Sequence, residues 1–477
     1  MLSVHERSSR SFTKSARLSV ATLLGLACLL FGQAPAAFGA GAAGTAAAGQ
    51  SAAMALTVPQ TQTLKLLHFN MAGGAKNNGT YPIIGRIIRE VQERRPDVIS
   101  LNEVCDRQYA HLLIQLEAIG YSMQGYFQES RTIVPDCIVP PDTRNEAGNA
   151  VLVRGTLVSD QGYMFTSDHK LEAREQPTIT ESRSVACVTA LFSIANQPVK
   201  ACSTHLAPKE SGAANPYAAP EAEAKELARV FGPEASAGSF ILMGDLNLQP
   251  GNPALSSLYA PEAGTTGQFW EVDMHFYCDE EFCDGPVQGG DPSHAEGKID
   301  YTFVSRKHFS FEHQNVQMVD AGNCDDHPCS DHKLFRSEVY LHQTTTPYGT
   351  MRNTHSNKCM TVTGTVNNAA AVQFTCNTTS TDYRWRFEHA WWGEYVLRKE
   401  NGGRCLRLPS SANVGAVQTT CDANNTLQRW NPRYPTADML RNVGSGKCLA
   451  VTNTVNNSAV IQTNCSTTAV PQRWTHP

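Results

Sequence analysis

A threefold repetition of cysteine and tryptophan governs what the last third of this chain can fold into. Cys359, Cys405 and Cys448 recur at intervals of 46 and 43 residues, and Cys376, Cys421 and Cys465 at 45 and 44. Trp385, Trp430 and Trp474 keep the same step of 45 and 44. Each copy runs from a basic residue and the first cysteine, through a polar turn, to a glutamine three residues before the second cysteine and a closing Arg-Trp. A unit of this size cannot bury a face alone, whereas three around a pseudo-threefold axis share one core to which the tryptophans bring the largest area. Pairing the cysteines within repeats closes loops of 16 or 17 residues, worth about 3 kcal/mol each in the chain-entropy picture.

The remainder is too long for one further small core. At 477 residues, two or three units are expected. A content of 41% hydrophobic and 17% charged residues excludes both wholesale disorder and a coiled coil. A formal charge of −5 excludes a uniformly basic nucleic-acid wrapper. Beyond the N-terminus no stretch offers the roughly 18 continuous apolar residues of a membrane span. There, Arg7, Arg10, Lys14 and Arg17 precede the apolar run Leu18 to Phe31, and the small-residue pairs Ala34/Ala36 and Ala40/Ala42 follow it. Residues 1–42 read as a signal peptide and the protein as secreted; an uncleaved anchor is the alternative reading. Residues 43–56 read as a flexible leader, since Gly39 to Ala53 is almost wholly Ala, Gly, Ser, Thr and Gln. Without Cys28, which lies inside the apolar run, fourteen cysteines remain, an even count that favours disulfides in an exported chain.

Between Leu64 and Tyr340 short β-rich runs alternate with helical patterns. Strands are expected at Leu64 to Phe69, Val98 to Leu101, Ala150 to Arg154, Ser184 to Ile194, Val199 to Thr204, Phe240 to Met243 and Tyr301 to Ser305. Ile83, Ile84, Ile87, Ile88 and Val91 recur at helical spacing, as do Leu112, Leu113, Leu116 and Ile119, and a third helix is expected near Glu221 to Phe231. Several strands end in an acid, amide or histidine. Asn70 follows Leu66 to Phe69, Glu103 follows Ile99 to Asn102, His205 follows Ala201 to Thr204, and Asp245 and Asn247 follow Phe240 to Gly244; Asp300 opens a strand, and Asp331 with His332 closes the set. Strand ends on one edge of a sheet can converge on one cleft. Hard oxygen donors, two histidines and no nucleophile in a Gly-x-Ser-x-Gly setting suit Mg²⁺, Mn²⁺ or Ca²⁺ and water attack on a phosphoester. A zinc or thiolate mechanism fits less well, because no His-Glu-x-x-His occurs and the cysteines read as paired.

Two resemblances follow from these motifs. From Tyr348 to the end the chain resembles the ricin-type β-trefoil lectins, with Gln428-Arg429-Trp430 and Gln472-Arg473-Trp474 matching their Q-x-W signature and Tyr383 departing from it. That family's sugar-binding Asp, two residues after the first cysteine of a repeat, is replaced by Thr361, Arg407 and Ala450, so the carbohydrate-binding residues stay unknown. The preceding segment resembles the endonuclease/exonuclease/phosphatase superfamily, the fold of deoxyribonuclease I and of bacterial neutral sphingomyelinases. It does so through Phe-Asn-Met (Asn70), Leu-Asn-Glu-Val (Glu103), Gly148 to Ala150, Ser-Arg (Arg183), Thr-His-Leu (His205), Gly-Asp-Leu-Asn (Asp245, Asn247), Ile-Asp-Tyr (Asp300) and Ser-Asp-His (Asp331, His332), in that order. The implied class is α+β: a four-layer α/β-sandwich, DNase I-like, over residues 57–343, then an all-β trefoil over 344–477.

The resemblance implies Glu103 as principal metal ligand, Asn70 beside it and Asp331 contributing, with Mg²⁺ (or Mn²⁺/Ca²⁺) as cofactor. It implies an Asp300–His332 pair acting on the attacking water, Asp245 and Asn247 orienting water and phosphoryl oxygen, His205 at the transition state or leaving oxygen, and Arg183 clamping phosphate. Each also has a plainer reading: Asn70 as a turn residue, Arg183 as a surface ion pair, Asp300 as a strand cap. The acidic runs Asp279 to Glu281 and Asp325-Asp326 read as loops stapled by local disulfides rather than calcium loops, and Cys187 with Cys202 and Cys105 with Cys137 complete the expected pairing. Charge is uneven, with a net of −15 over residues 57–343 and +7 over 344–477. So acidic a domain lacks the broad footprint of a polyanion binder, whereas Arg183 resembles the nuclease branch. The expected substrate is a phosphodiester, nucleic acid first, with sphingomyelin or another phospholipid second, and the expected trefoil ligand is a glycan or cell surface. The competing class is a lectin with an inactive catalytic scaffold.

Overall fold

The computed structural model describes residue 56 and residues 60–476, apart from 132–136, 140–145, 167–170, 173–179, 194–196, 262–264, 275–288, 363, 392, 410–414 and 433–435. The signal peptide, nearly all of the expected leader, and Cys278, Cys283 and the acids between them lie outside the described residues.

Two six-stranded sheets form the larger domain. The strands of the first are β1 (Thr61–Asn70), β2 (Val98–Cys105), β3 (Gln124–Arg131) and β4 (Ala147–Val153). The second begins with β5 (Thr156–Met164), β6 (Ser184–Leu191), β7 (Pro198–His205), β8 (Ser239–Asp245), β9 (Phe269–Glu271) and β10 (Asp300–Ser305). The chain then returns to the first through β11 (Phe309–Val319) and β12 (Leu334–His342). Their orders are β11-β12-β1-β2-β4-β3 and β9-β10-β8-β7-β6-β5. Helices α1 (Pro82–Arg94) and α2 (Asp106–Ala118) follow β1 and β2, and α3 (Ala218–Ala237) follows β7.

Strand alternation sorts the side chains into layers, because successive residues face opposite sides of a sheet. Leu64 and Leu66 of β1 join Val98, Val151 and Val153 in a core shared with Val185, Ala201, Ile241 and Phe303 of the second sheet, and with Leu227 and Phe231 of α3. Leu67 and Phe69 of the same strand face a second core with Ile83, Ile87 and Val91 of α1 and Leu112 and Leu116 of α2. The result is four layers, helices outside and two sheets within. Pro82 supplies the fixed φ that starts α1, and Arg95 in the left-handed region ends it.

In the C-terminal domain Trp385, Trp430 and Trp474 are fully buried. Each indole N–H donates to the carbonyl of the residue after a first cysteine: Met360, Leu406 and Leu449. The three pairs Cys359–Cys376, Cys405–Cys421 and Cys448–Cys465 close within repeats. The larger domain carries Cys105–Cys137, Cys187–Cys202 and Cys324–Cys329. Leu56 differs from the flexible leader expected through residue 56. It is fully buried in the C-terminal core and bridges to His476, because an apolar side chain ending a polar leader gains from a core that has room for it.

The two domains meet at stacked imidazoles. His342, ending β12, lies 4.5 Å from His389 of the C-terminal domain at 11°. The backbone N–H of His342 donates to the His308 carbonyl, and the backbone N–H of His389 to the Thr344 carbonyl. Burial lowers His308 and His342 to about 4, and burial with the neighbouring His342 and His308 lowers His389 well below its ordinary value. These rings stay neutral in the folded protein but bind protons in the unfolded chain below about 6.5. Their contribution to stability is therefore present above that pH and lost as pH falls toward 4. The melting temperature should drop between pH 7 and pH 5 in scanning calorimetry, and His389→Phe, which keeps the ring stack but cannot titrate, should lose less; an identical drop would remove the joint as its cause.

Candidate active site

Strand register brings the polar strand ends together. Asp245 of β8 lies beside His205 of parallel β7 and beside Asp300 of antiparallel β10. In the other sheet, Asn70 of β1 pairs with Asn102 of β2. The two sheets thus present these ends to one cleft. Glu103 arrives by a local irregularity: the register of β2 against β4 shifts between Leu101 and Val104, and Glu103 takes a φ of 52°. A bulge of this kind re-aims a side chain out of the ladder. Asn247 likewise has a φ of 51°, and such left-handed non-glycine residues cost about 1 kcal/mol or more and persist where surroundings impose them.

Asp300 is fully buried with both oxygens bound by imidazole: Oδ2 lies 2.8 Å from His332 Nδ1 and Oδ1 lies 2.9 Å from His68 Nε2. Burial alone would raise this acid, but the two histidines outweigh it and hold the carboxyl well below the usual carboxylate range. Asp245 is the opposite case, since burial and then the charge of Asp300 push it up to about 7. Its Oδ1 accepts from the Asn247 backbone N–H at 2.9 Å, and its Oδ2 from Asn70 Nδ2 at 3.1 Å. His332 Nε2 lies 3.6 Å from that Oδ2 and His205 Nε2 3.5 Å. Burial opposes a charge on His332, yet Asp300, Asp245 and Glu103 together raise it to about 10. His205 is lowered well below its ordinary value by burial, then by Arg183 and His332. Asn247 Nδ2 lies 3.1 Å from its Nε2 and donates to it, so this nitrogen accepts and the ring's own proton sits on Nδ1.

Asn70 Nδ2 also donates to Glu103 Oε1 at 3.0 Å. One amide donor therefore sits between carboxylate oxygens of Glu103 and Asp245, the kind of donor set a hard divalent cation prefers. Turning the Asn70 amide would present Oδ1 to the same point. Asp245, Asp300 and His332 form another compact group, but both Asp300 oxygens are committed to imidazoles, so the Glu103–Asn70 side fits a cation better. Arg183 is buried and its charge reaches His205. Asp331 stands apart from Glu103 and Asn70: its carboxylate is 44% exposed, with Lys76 Nζ at 3.5 Å and His294 Nε2 at 3.9 Å from its Oδ2.

Several contributing residues carried no assignment from the sequence. His68 shares the inward face of β1 with Asn70, two residues on, but that face also carries Leu64 and Leu66, so it reads as core. Asn102 Oδ1 accepts from the Asp245 backbone N–H at 2.9 Å, and its Nδ2 donates to Asn149 Oδ1 at 2.8 Å. Ser100 joins His68 to Ser203 through bonds of 2.9 and 2.8 Å. This polar seam crosses from one sheet to the other. Gly148 permits it next door, because a Cβ there would lie 2.0 Å from the Gln128 carbonyl. His294 lies in an aperiodic segment that offered no signal. Replacing His68 with Leu leaves one Asp300 oxygen buried without a donor, and urea unfolding at pH 7 should show a loss of about 3 kcal/mol; an unchanged midpoint would mean that the pair does not hold the seam.

Residues 67–332 match the endonuclease/exonuclease/phosphatase family, and residues 347–474 match the ricin-type beta-trefoil lectin domain. Among solved structures, the human Nocturnin catalytic domain with bound sulfate anion is 15% identical over 59% of this chain and 96% of its own, with a TM-score of 0.42. An endonuclease/exonuclease/phosphatase from Beutenbergia cavernae is 16% identical over 84% and 98%, with a TM-score of 0.38. The designed three-fold symmetric protein ThreeFoil is 25% identical over 27% and 96%, with a TM-score of 0.25. No curated protein matches the sequence.

Proposed function

Because the chain belongs to the endonuclease/exonuclease/phosphatase family and ends in a ricin-type β-trefoil lectin domain, we propose that it is a secreted, divalent-metal-dependent phosphodiester hydrolase, with nucleic acid as first substrate and a trefoil that docks on a glycan or cell surface. The observation that carries this reading is the side-by-side register of His205, Asp245 and Asp300, with His332 and Asn70 closing over Asp245. Six cysteine pairs among the described residues support an oxidising compartment.

The electrostatics divide the roles. Asp245, pushed up to about 7, takes the proton of the attacking water at Oδ2. His332, kept protonated by Asp300, points Nε2 at the same place and donates to a phosphoryl oxygen. His205 stays neutral and, with Asn247, lines the opposite side of Asp245. Arg183 supplies fixed positive charge for the phosphate. This assignment moves the base from His332 to Asp245 and leaves His332 as the cationic donor. Glu103 and Asn70 would hold the cation, and its positive charge would lower the cost of the charge that develops on phosphoryl and leaving oxygens. The water oxygen forms a bond to phosphorus as the ester P–O bond breaks; Asp245 keeps the water's proton and the departing oxygen takes one from solvent, leaving a phosphomonoester and an alcohol, after which Asp245 returns its proton to solvent.

A phospholipid substrate is the second reading, favoured by the net −15 of residues 57–343, which repels a long polyanion. Duplex DNA, RNA, sphingomyelin and inositol phosphates, each with Mg²⁺ and with chelator, separate the two. Glu103→Gln and His332→Ala should each lower turnover of the accepted substrate by about a hundredfold or more with unchanged circular dichroism. Absence of metal-dependent turnover on every substrate would leave a lectin on an inert scaffold.

A further inference from the structure

Beside His332, on the open side of the cleft, lies a second imidazole. The rings of His294 and His332 are 4.7 Å apart and tilted by 33°. The side chain of His294 is 18% exposed against 7% for His332, so it stands nearer the mouth. Its segment is rigidly anchored. Ser293 Oγ accepts the backbone N–H groups of Ile299 and Asp300 at 3.1 and 3.0 Å, and the Ser293 carbonyl accepts that of Lys333 at 2.8 Å. His294 and Gly297 exchange backbone bonds of 3.1 and 3.0 Å across a turn that Gly297 closes at a φ of 116°. Lys298 is buried on Asp273 at 2.8 Å and Glu271 at 3.3 Å, tying the far side of the turn to the second sheet.

The tautomer of His294 follows from its backbone. The Glu296 N–H donates to Nδ1 at 3.1 Å, so Nδ1 is the acceptor and Nε2 carries the hydrogen. Among the described residues that Nε2–H meets no acceptor at hydrogen-bond distance; Asp331 Oδ2, at 3.9 Å, is too far. The same Oδ2 lies 3.5 Å from Lys76 Nζ. A pre-oriented donor thus stands beside the imidazole that faces Asp245, on the more exposed side of the site.

We propose that His294 is a substrate-binding residue of this phosphodiester site, its Nε2–H donating to a non-bridging phosphoryl oxygen of the bound ester alongside His332. This rests on the hydrolase reading and adds a contact to it. The competing role is a brace that only packs against the His332 ring. Two variants of the full chain separate them: His294→Phe keeps an aromatic face and removes the donor, and His294→Gln removes the face and keeps an amide N–H. Kinetics on bis(4-nitrophenyl) phosphate with Mg²⁺ should show KM raised about tenfold in His294→Phe with kcat within about threefold, and KM largely restored in His294→Gln. A normal His294→Phe, or equal loss in both variants, overturns the proposal. Binding of inorganic phosphate, followed by calorimetry, gives a readout independent of turnover and should weaken about tenfold in His294→Phe alone. If the native chain cleaves no diester but still shows that dependence, the hydrolase reading fails while the contact stands; phosphate affinity equal in native chain and His294→Phe overturns the contact.

Discussion

The carboxylate of Asp300 sits at the bottom of the cleft with an imidazole on each oxygen, and the site's electrostatics rest on that arrangement. A buried carboxylate is tolerable only when its charge is matched and its lone pairs are occupied. His332 does this from the cleft side and His68 from beneath, so the two sheets are tied through one acid. The charge held there then acts outward. It keeps His332 cationic and, together with burial, raises neighbouring Asp245 toward neutrality. Two aspartates on adjacent strands thereby acquire opposite proton affinities, which is how a folded protein separates acid from base with one residue type.

Much of the architecture was written in periodicity. β1, β2, β7, β8 and β10 were announced by apolar runs, and α1 by its isoleucine spacing; the structure extends each by a few residues. β3, β5, β9, β11 and β12 were not anticipated. β5 is mostly exposed, with no apolar stripe to announce it, and β11 and β12 return from a different part of the chain to pair with each other and with β1. Of the site, strand ends were legible because a polar residue after an apolar run must find a cleft or a partner. His68 was hidden by its neighbours: inside Leu-Leu-His-Phe it reads as one more core position. Asp331 adjoins His332 in sequence, but adjacent residues point apart, and its carboxylate faces the rim.

Charge in the C-terminal domain is spent largely on its own architecture. Arg352, Arg398 and Arg441 stand seven residues before the three first cysteines, and each reaches across its hairpin to the residue two before the cysteine: Asn357, Gly403 and Gly446. Arg429 pairs with Glu394, Arg473 with Asp438 and Arg384 with Glu400. Thr361 and Ala450, at two of the positions where the lectin family places its sugar-binding Asp, are buried, and Thr361 spends its hydroxyl on the Asp382 carbonyl. The repeat symmetry is thus preserved most fully in the groups that build turns and core.

Leu56 gives the molecule an unexpected seam. It precedes the whole catalytic domain, yet its side chain is sealed among residues made last, with His476 bridging to its backbone. During synthesis this leucine therefore waits while some four hundred residues emerge before its pocket is complete. The tail, once complete, stitches beginning to end, so the arrangement is a closed loop of chain rather than two beads on a string, and separating the modules at residue 343 would strip the smaller one of a piece of its own interior.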